Sequence, residues 1–194
     1  MQLPRTSFQH SPKDNIMARC FWHLTPVEHA AALFFYEPKS EAAQMVLKLK
    51  YGDQPEIGTD LGRMMAEEMM LDDFFHDIDC IVPVPLTRRR QWQRGYNQSK
   101  MLAEGIAEVT RLPIAARALQ RRQFRKSQTK MTKWDRRTNV TDAFVLRRTD
   151  DIMGKHVLIV DDVCTTGATM LACADAMKGV ARSVSFLSLA FTKR

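Results

Sequence analysis

The chain has 194 residues, 45% of them hydrophobic, and carries 29 Lys and Arg against 22 Asp and Glu, a formal net charge of +7. This length and apolar content suit a single domain with one substantial core and an elaborated edge. No stretch approaches the roughly eighteen consecutive apolar residues of a membrane span. The opening residues, with Pro4, Arg5, His10, Lys13 and Asp14, lack the apolar centre of a signal peptide, so a soluble, cytoplasmic protein that makes no membrane contact is expected.

The charge is unevenly placed. Residues 81–148 hold 17 Lys and Arg against 4 Asp and Glu, while the remainder holds 12 against 18. A basic middle attracts a polyanion, or else is a solvated basic surface. Cys20, Cys80, Cys164 and Cys173 are scattered, so neither a Cys-x-x-Cys metal pair nor a disulfide framework is visible. The five histidines show no ligand spacing.

In chain order, residues 1–36 read as an N-terminal arm. Met1 to Val27 is proline-bearing and polar with no clear period, and sets no fold. Residues 37–194 form the α/β domain. Ala43, Val46, Leu47 and Leu49 predict an amphipathic helix from Ser40, its N-cap, to Tyr51-Gly52. A second helix is expected from Thr59 to Leu71, where Met64, Met65, Met69 and Met70 serve packing. A strand follows over Ile78 to Val84, then a helix over Asn97 to Thr110. In Leu119 to Val145, eleven of 27 residues are Arg, Lys or Gln and few positions can face a core, which fits a mobile basic lid. Ala143 to Leu146 returns the chain to a strand, and a last strand spans Ser183 to Phe191. Strands alternating with helices imply a mostly parallel, twisted central sheet flanked by helices.

The most informative segment is Val157-Leu158-Ile159-Val160-Asp161-Asp162-Val163-Cys164-Thr165-Thr166-Gly167-Ala168-Thr169. Its apolar run has the length and β-branched content of a strand buried on both faces. Asp161 and Asp162 then stand at the carboxyl end, where open α/β sheets bind ligands. Two hydroxyls, a glycine and a small residue lead into a helix from Thr169 to Lys178, whose N-terminus favours phosphate. Carboxylates suit neutral sugar hydroxyls, whereas Thr165, Thr166 and Thr169 can donate to phosphate oxygens. A structural turn in which Asp162 or Thr165 merely caps a helix is the plainer alternative, which the Thr-Thr-Gly-Ala-Thr continuation disfavours. Cys164, beside a helix N-terminus, is either a reactive thiol or a tolerated small residue.

This segment resembles the phosphoribosyl pyrophosphate (PRPP) signature of type I phosphoribosyltransferases. The resemblance implies that Asp161 and Asp162 contact the ribose 2- and 3-hydroxyls and that Thr165, Thr166, Gly167, Ala168 and Thr169 cradle the 5-phosphate. Further blocks extend it: Val82-Pro83-Val84-Pro85-Leu86-Thr87-Arg88-Arg89-Arg90-Gln91-Trp92-Gln93-Arg94-Gly95-Tyr96-Asn97-Gln98, then Leu47-Lys48-Leu49-Lys50-Tyr51-Gly52, and Gln128, Arg137, Asn139 and Phe144. Together they are similar to the ComF/GntX family of competence-associated phosphoribosyltransferase-like proteins, from about Phe34 onward. The family resemblance implies a type I phosphoribosyltransferase-like α/β fold with a small N-terminal hood and the lid over residues 119–145. Pro85, Leu86, Thr87 and Arg88 would form the pyrophosphate loop with Arg94 beside it, and Gln128, Arg137 and Asn139 would belong to the lid.

What this implies is a transfer of phosphoribosyl from PRPP to a nitrogenous base, with Mg²⁺ arriving on PRPP rather than held directly by the chain. No catalytic base is identifiable. Family members commonly carry a four-cysteine zinc knuckle before the domain; no such cluster is present, so no zinc is assigned. The other reading is a non-catalytic PRPP sensor, or an accessory factor that holds single-stranded DNA or competence proteins. Trp92, Tyr96, Phe124 and Trp134 interleave with basic residues as stacking platforms do, or else simply pack. A homodimer is expected.

Overall fold

The computed structural model describes residues 3–52, 54–122 and 143–193. Its centre is a four-stranded sheet built from β1 (Ala30–Phe35), β2 (Cys80–Pro83), β5 (His156–Cys164) and β6 (Ser183–Phe191), in the order β1-β6-β5-β2. Every pairing is parallel, with Val82 opposite Ile159, Val160 opposite Leu187 and Phe34 opposite Ala190. Val157 to Val160 are fully buried, as a strand covered on both faces requires.

Helices α1 (Glu41–Tyr51), α2 (Pro55–Met70) and α4 (Gln98–Thr110) precede the signature, and α5 (Ala168–Met177) follows it. Ser40 caps α1 as expected, its Oγ accepting from the Ala43 N–H at 3.1 Å. Pro55, pre-set for a first helical turn, starts α2 four residues earlier than the sequence predicts. Met65 and Met69 are wholly buried, while Met70 is exposed. Helices α2 and α4 cross closely enough that a Cβ on Gly105 would lie 2.0 Å from the Thr59 carbonyl oxygen. That contact fixes α4 against α2, and α4 carries Ser99 to Asp161 of β5.

Three expectations are corrected. The arm does set part of the fold: Phe8, Met17, Ala18 and Phe21 lie in the core, and residues 30–35 form the edge strand β1. Phe8 meets Phe35 and Phe191 edge-on at 5.5 and 5.8 Å, and Phe21 meets Phe186 at 4.4 Å. Buried Asn15 fastens the arm by donating to the Ala30 carbonyl at 2.8 Å and accepting from the Met17 and Ala18 N–H groups. The expected loop of Pro85 to Arg88 gives way at Arg88 to the seven-residue helix α3 (Arg88–Arg94), capped by Thr87. Finally, the strand expected around Ala143 to Leu146 is β4 (Phe144–Leu146), which pairs antiparallel with β3 (Leu119–Arg121) in a separate small sheet. The interior of the expected lid lies outside the described residues.

Candidate phosphoribosyl site

The acids lie within β5, not after it, because its pairing with β6 continues to Cys164 opposite Phe191. Asp161 Oδ1 accepts from the Ser99 hydroxyl at 3.0 Å and from the Asp162 N–H at 2.9 Å. Asp162 Oδ2 stands 3.4 Å from Lys50 Nζ, with both side chains largely buried. Burial, reinforced by the negative charge of Asp162, pushes the Asp161 carboxyl up to about 7. The hydrogen bonds from Asp162 N–H and Ser99 and the charge of Lys50 pull the other way. A carboxyl so raised is ionised only in part near neutrality, and its ionised form, accepting at both oxygens, is the better partner for two sugar hydroxyls.

Thr165, Thr166 and Gly167 form the turn into α5, which begins at Ala168, one residue before the expected start. Gly167 has φ 75°, and a Cβ there would come within 2.4 Å of the Phe21 ring. Two independent reasons thus require glycine, and one comes from the arm. The Thr166 hydroxyl accepts from the Ala168 N–H at 3.3 Å. Asp161, Val163 and Cys164 to Met170 line a small cavity of about 30 Å³ at this helix start. Cys164 is buried, and burial pushes its thiol up to about 12. The reactive alternative fails, because desolvation outweighs the helix N-terminus.

On the neighbouring strand β2, Pro85 and Leu86 lead to Thr87, whose hydroxyl accepts from the Arg90 N–H at 3.3 Å. Pro85, Leu86 and Arg88 line a cavity of about 360 Å³, and Arg88 also lines an adjoining one of about 300 Å³. Gln120, Arg121 and Arg147 are common to both, and no carboxylate lines either among the described residues. Arg121 is half-buried, its guanidinium 5.3 Å from the Phe144 ring centre, and burial and the charge of Arg90 lower its pKa. Asn97 ties α4 to this loop, its Nδ2 donating to the Val84 carbonyl at 3.1 Å.

The structure therefore brings Asp161, Asp162 and the Thr165–Thr169 loop together, with Pro85, Leu86 and Arg88 at the end of the adjacent strand. Thr87 serves α3 as its cap. Arg94 turns elsewhere, donating to Gln98 Oε1 at 2.8 Å with its guanidinium 5.6 Å from the Tyr51 ring centre. Gln128, Arg137 and Asn139, like Phe124 and Trp134, lie outside the described residues. Of the two described aromatics, Trp92 is 87% exposed, whereas Tyr96 packs and donates its hydroxyl to the Leu49 carbonyl at 2.7 Å.

Sequence reasoning gave no role to Ser99, Lys50, Arg121 or Arg147. Lys50 stands in a block already singled out, and Ser99 directly follows one. Only the fold shows that both reach the acids. Among the described residues no cluster of His, Cys, Asp and Glu is placed to hold a metal ion, and no helix is long and apolar enough to cross a membrane.

The phosphoribosyl transferase domain family matches residues 102–189. The DNA utilization protein YhgH of Escherichia coli O157:H7 is 30% identical over 159 residues, covering 80% of this chain and 68% of that protein. Competence protein F of Haemophilus influenzae is 30% identical over 130 residues, covering 65% and 57%. Among solved structures, the allosteric regulatory enzyme of purine biosynthesis aligns with a TM-score of 0.49 at 18% identity, over 74% of this chain and 30% of that one. With its α/β parallel sheet and a signature strand that carries paired acids and leads into a threonine-glycine loop, the chain belongs to the ComF family of phosphoribosyltransferase-like proteins.

Proposed function

We propose that this protein binds PRPP and transfers its phosphoribosyl group to a nitrogenous base, releasing pyrophosphate with inversion at the anomeric carbon. The observation that carries this reading is the adjacency of β2 and β5, with Pro83 opposite Val160. It sets an arginine-bearing loop beside the paired acids and the loop at the start of α5. In this reading Asp161 and Asp162 hold the ribose hydroxyls, and Thr165 to Thr169 hold the 5-phosphate with the free N–H groups of α5. Arg88, joined by Arg121 and Arg147, receives the pyrophosphate.

The chemistry rests on electrostatics. The ribose ring gains positive charge as the carbon–oxygen bond to pyrophosphate lengthens, so fixed cations that favour the departing anion lower the barrier. Asp162 is paired with Lys50, and Asp161 is satisfied by Ser99 and a backbone N–H. Among the described residues, the paired acids are thus engaged by the protein's own donors and Lys50. In this reading Mg²⁺ would enter as part of the substrate and supply positive charge to the departing pyrophosphate.

Replacing both acids, Asp161→Ala with Asp162→Ala, is expected to abolish the thermal stabilisation that Mg-PRPP confers, with circular dichroism unchanged. Stabilisation equal to wild type would sink the ribose assignment.

A second reading draws on the arginine-lined cavities and the competence-related relatives: the same basic groove holds single-stranded DNA. Its signature is a steep fall of log affinity with log salt. A flat response counts against it.

A further inference from the structure

Lys50 reaches the paired acids from neither of the two anion-binding loops. It stands in the last turn of α1, with its Nζ 3.4 Å from Asp162 Oδ2. The Lys50 and Asp162 side chains are only 21% and 14% exposed. An ion pair drawn this far out of water gains little net stability, because the desolvation of both charges offsets their attraction. An apolar side chain would serve the packing of α1 as well, so the pair points to a role at the site.

The chain on both sides of Lys50 is fastened to the junction of α3 and α4. The Leu49 carbonyl accepts from the Tyr96 hydroxyl at 2.7 Å, and the Tyr51 ring centre lies 5.6 Å from the Arg94 guanidinium. Arg94 in turn donates to Gln98 Oε1 at 2.8 Å, one residue before Ser99. Lys50 and Ser99 thus belong to one frame, and each holds one acid: Ser99 takes Asp161 by Oδ1, and Lys50 takes Asp162 by Oδ2. Each carboxyl is fixed through one oxygen and can present the other to a sugar hydroxyl, the arrangement that a vicinal diol requires.

Two adjacent carboxylates withdrawn from water repel each other, and such a pair takes up a proton unless a cation stands beside it. Burial and the charge of Asp162 favour that proton on Asp161, and Lys50 opposes it. Among the described residues, the other titratable groups that face Asp161 are Arg121 and the thiols of Cys164 and Cys173, which burial keeps neutral. The Arg121 guanidinium is engaged over the Phe144 ring, whereas Lys50 is in contact with the pair.

We propose that Lys50 is a positioning residue for the ribose diol: it grips Asp162 through Oδ2 and balances the charge of the acid pair, so that both carboxylates accept from the sugar. The proposal rests on the assignment of Asp161 and Asp162 to the ribose hydroxyls and adds to it a residue from outside the signature segment. Lys50 acts through Asp162 and takes no part in bond making or breaking.

The test titrates the full chain by calorimetry with ribose 5-phosphate and, separately, with Mg-pyrophosphate, at pH 7 and at pH 9. The phosphate of the sugar gives up its second proton at about pH 6, so a change across this window belongs to the protein. Lys50→Met should weaken ribose 5-phosphate about tenfold at pH 7, the effect of raising the proton affinity of the acid pair by about one pH unit. That loss should shrink at pH 9 as the extra proton leaves, while Mg-pyrophosphate binds as in wild type. Lys50→Arg keeps the charge and should restore the wild-type pH profile. The comparison runs between two pH values within one variant, so a general loss of stability in Lys50→Met does not imitate the result. A loss equal at both pH values means that Lys50 serves α1 alone or touches the phosphate itself, and overturns the proposal. So does an equal fall in Mg-pyrophosphate affinity, or a pH profile that Lys50→Arg fails to restore. A wild-type chain that binds no ribose 5-phosphate overturns instead the phosphoribosyl reading on which the proposal stands.

Discussion

The Ser99 hydroxyl donates to Asp161 Oδ1 at 3.0 Å, joining the start of α4 to the first acid of the signature strand. This bond favours the charged form of a carboxyl that burial pushes up to about 7. Ionised Asp161 is disfavoured in the fold, so between pH 4 and 7 the unfolded chain loses its proton first. Stability from this group is therefore present at acid pH and lost as pH rises through that window. Asp161→Asn removes the penalty and should raise the melting temperature at pH 8 but not near pH 4, while weakening Mg-PRPP binding. Ser99→Ala takes away support for the carboxylate only, so it should weaken PRPP binding more at pH 7 than at pH 9. Calorimetric melts and PRPP titrations at the two ends of each pH range check both outcomes.

Gly167 and Phe21 make a second coupled pair, because the ring of Phe21 occupies the space into which a Cβ at 167 would project. Gly167→Ala meets both a positive φ and this contact. It should cost about 1–3 kcal/mol and weaken phosphate-bearing ligands, read by urea midpoints and by ribose 5-phosphate titration. Phe21→Ala opens a core cavity and should cost about 3–5 kcal/mol. The double variant should recover part of the Gly167→Ala loss in binding, since the clash is gone and only the backbone preference remains. Strict additivity would separate the arm from the loop.

These residues also mark what the sequence discloses. Strand β5 was legible because Val157 to Val160 are β-branched or aliphatic and buried on both faces, and α1 because Ser40 precedes a helical apolar stripe. Strand β1 was not. Ala30-Ala31-Ala32-Leu33-Phe34-Phe35 opens on three alanines, which have little intrinsic preference for strand, and its conformation is imposed by pairing with β6 and cover from the arm. Helix α3 was hidden for the opposite reason: none of Arg88–Arg94 is buried, so no apolar period exists to read. Leu119–Arg121 and Phe144–Leu146 pair across more than twenty intervening residues, a contact to which local pattern is blind. The phosphate half of the site followed from a contiguous motif. Lys50, Ser99 and Arg121 join it from separate elements and appear only once the chain is folded.

Cys164 offers a chemical check on the buried end of β5. Its thiol is pushed up to about 12 by burial, and those of Cys80 and Cys173 are also raised, again chiefly by burial. None is thiolate at pH 8, so native protein should resist alkylation by iodoacetamide at these three positions, whereas partly exposed Cys20 should react first. Peptide mass spectrometry after a timed pulse, repeated in urea, should show the three protected thiols modified only on unfolding. Rapid native labelling of Cys164 would show that the phosphate loop opens.

At the amino end of the same strands, His156 Nε2 lies 2.9 Å from the Ser185 hydroxyl, whose Oγ also accepts from the His29 N–H at 3.0 Å. The two imidazole centres are 6.2 Å apart, and burial lowers both pKa values; the charges of Lys13 and His76 lower that of His29 further, and those of His29 and Arg182 lower that of His156. Glu28, the Phe74 carbonyl and the backbone near Asp77 act in the opposite sense without prevailing. With folded pKa values below the usual 6.5, the unfolded chain binds protons first as pH falls. The stability these histidines contribute is therefore intact above pH 6.5 and is lost on acidification through their folded pKa values. Asp161 contributes with the opposite sign over an overlapping range, so the measurement belongs in the Asp161→Asn background. There the urea midpoint should fall between pH 6.5 and 5, and His29→Asn with His156→Asn should flatten that slope even if the variant is less stable throughout. A slope unchanged by the double substitution would place the acid sensitivity elsewhere in the molecule.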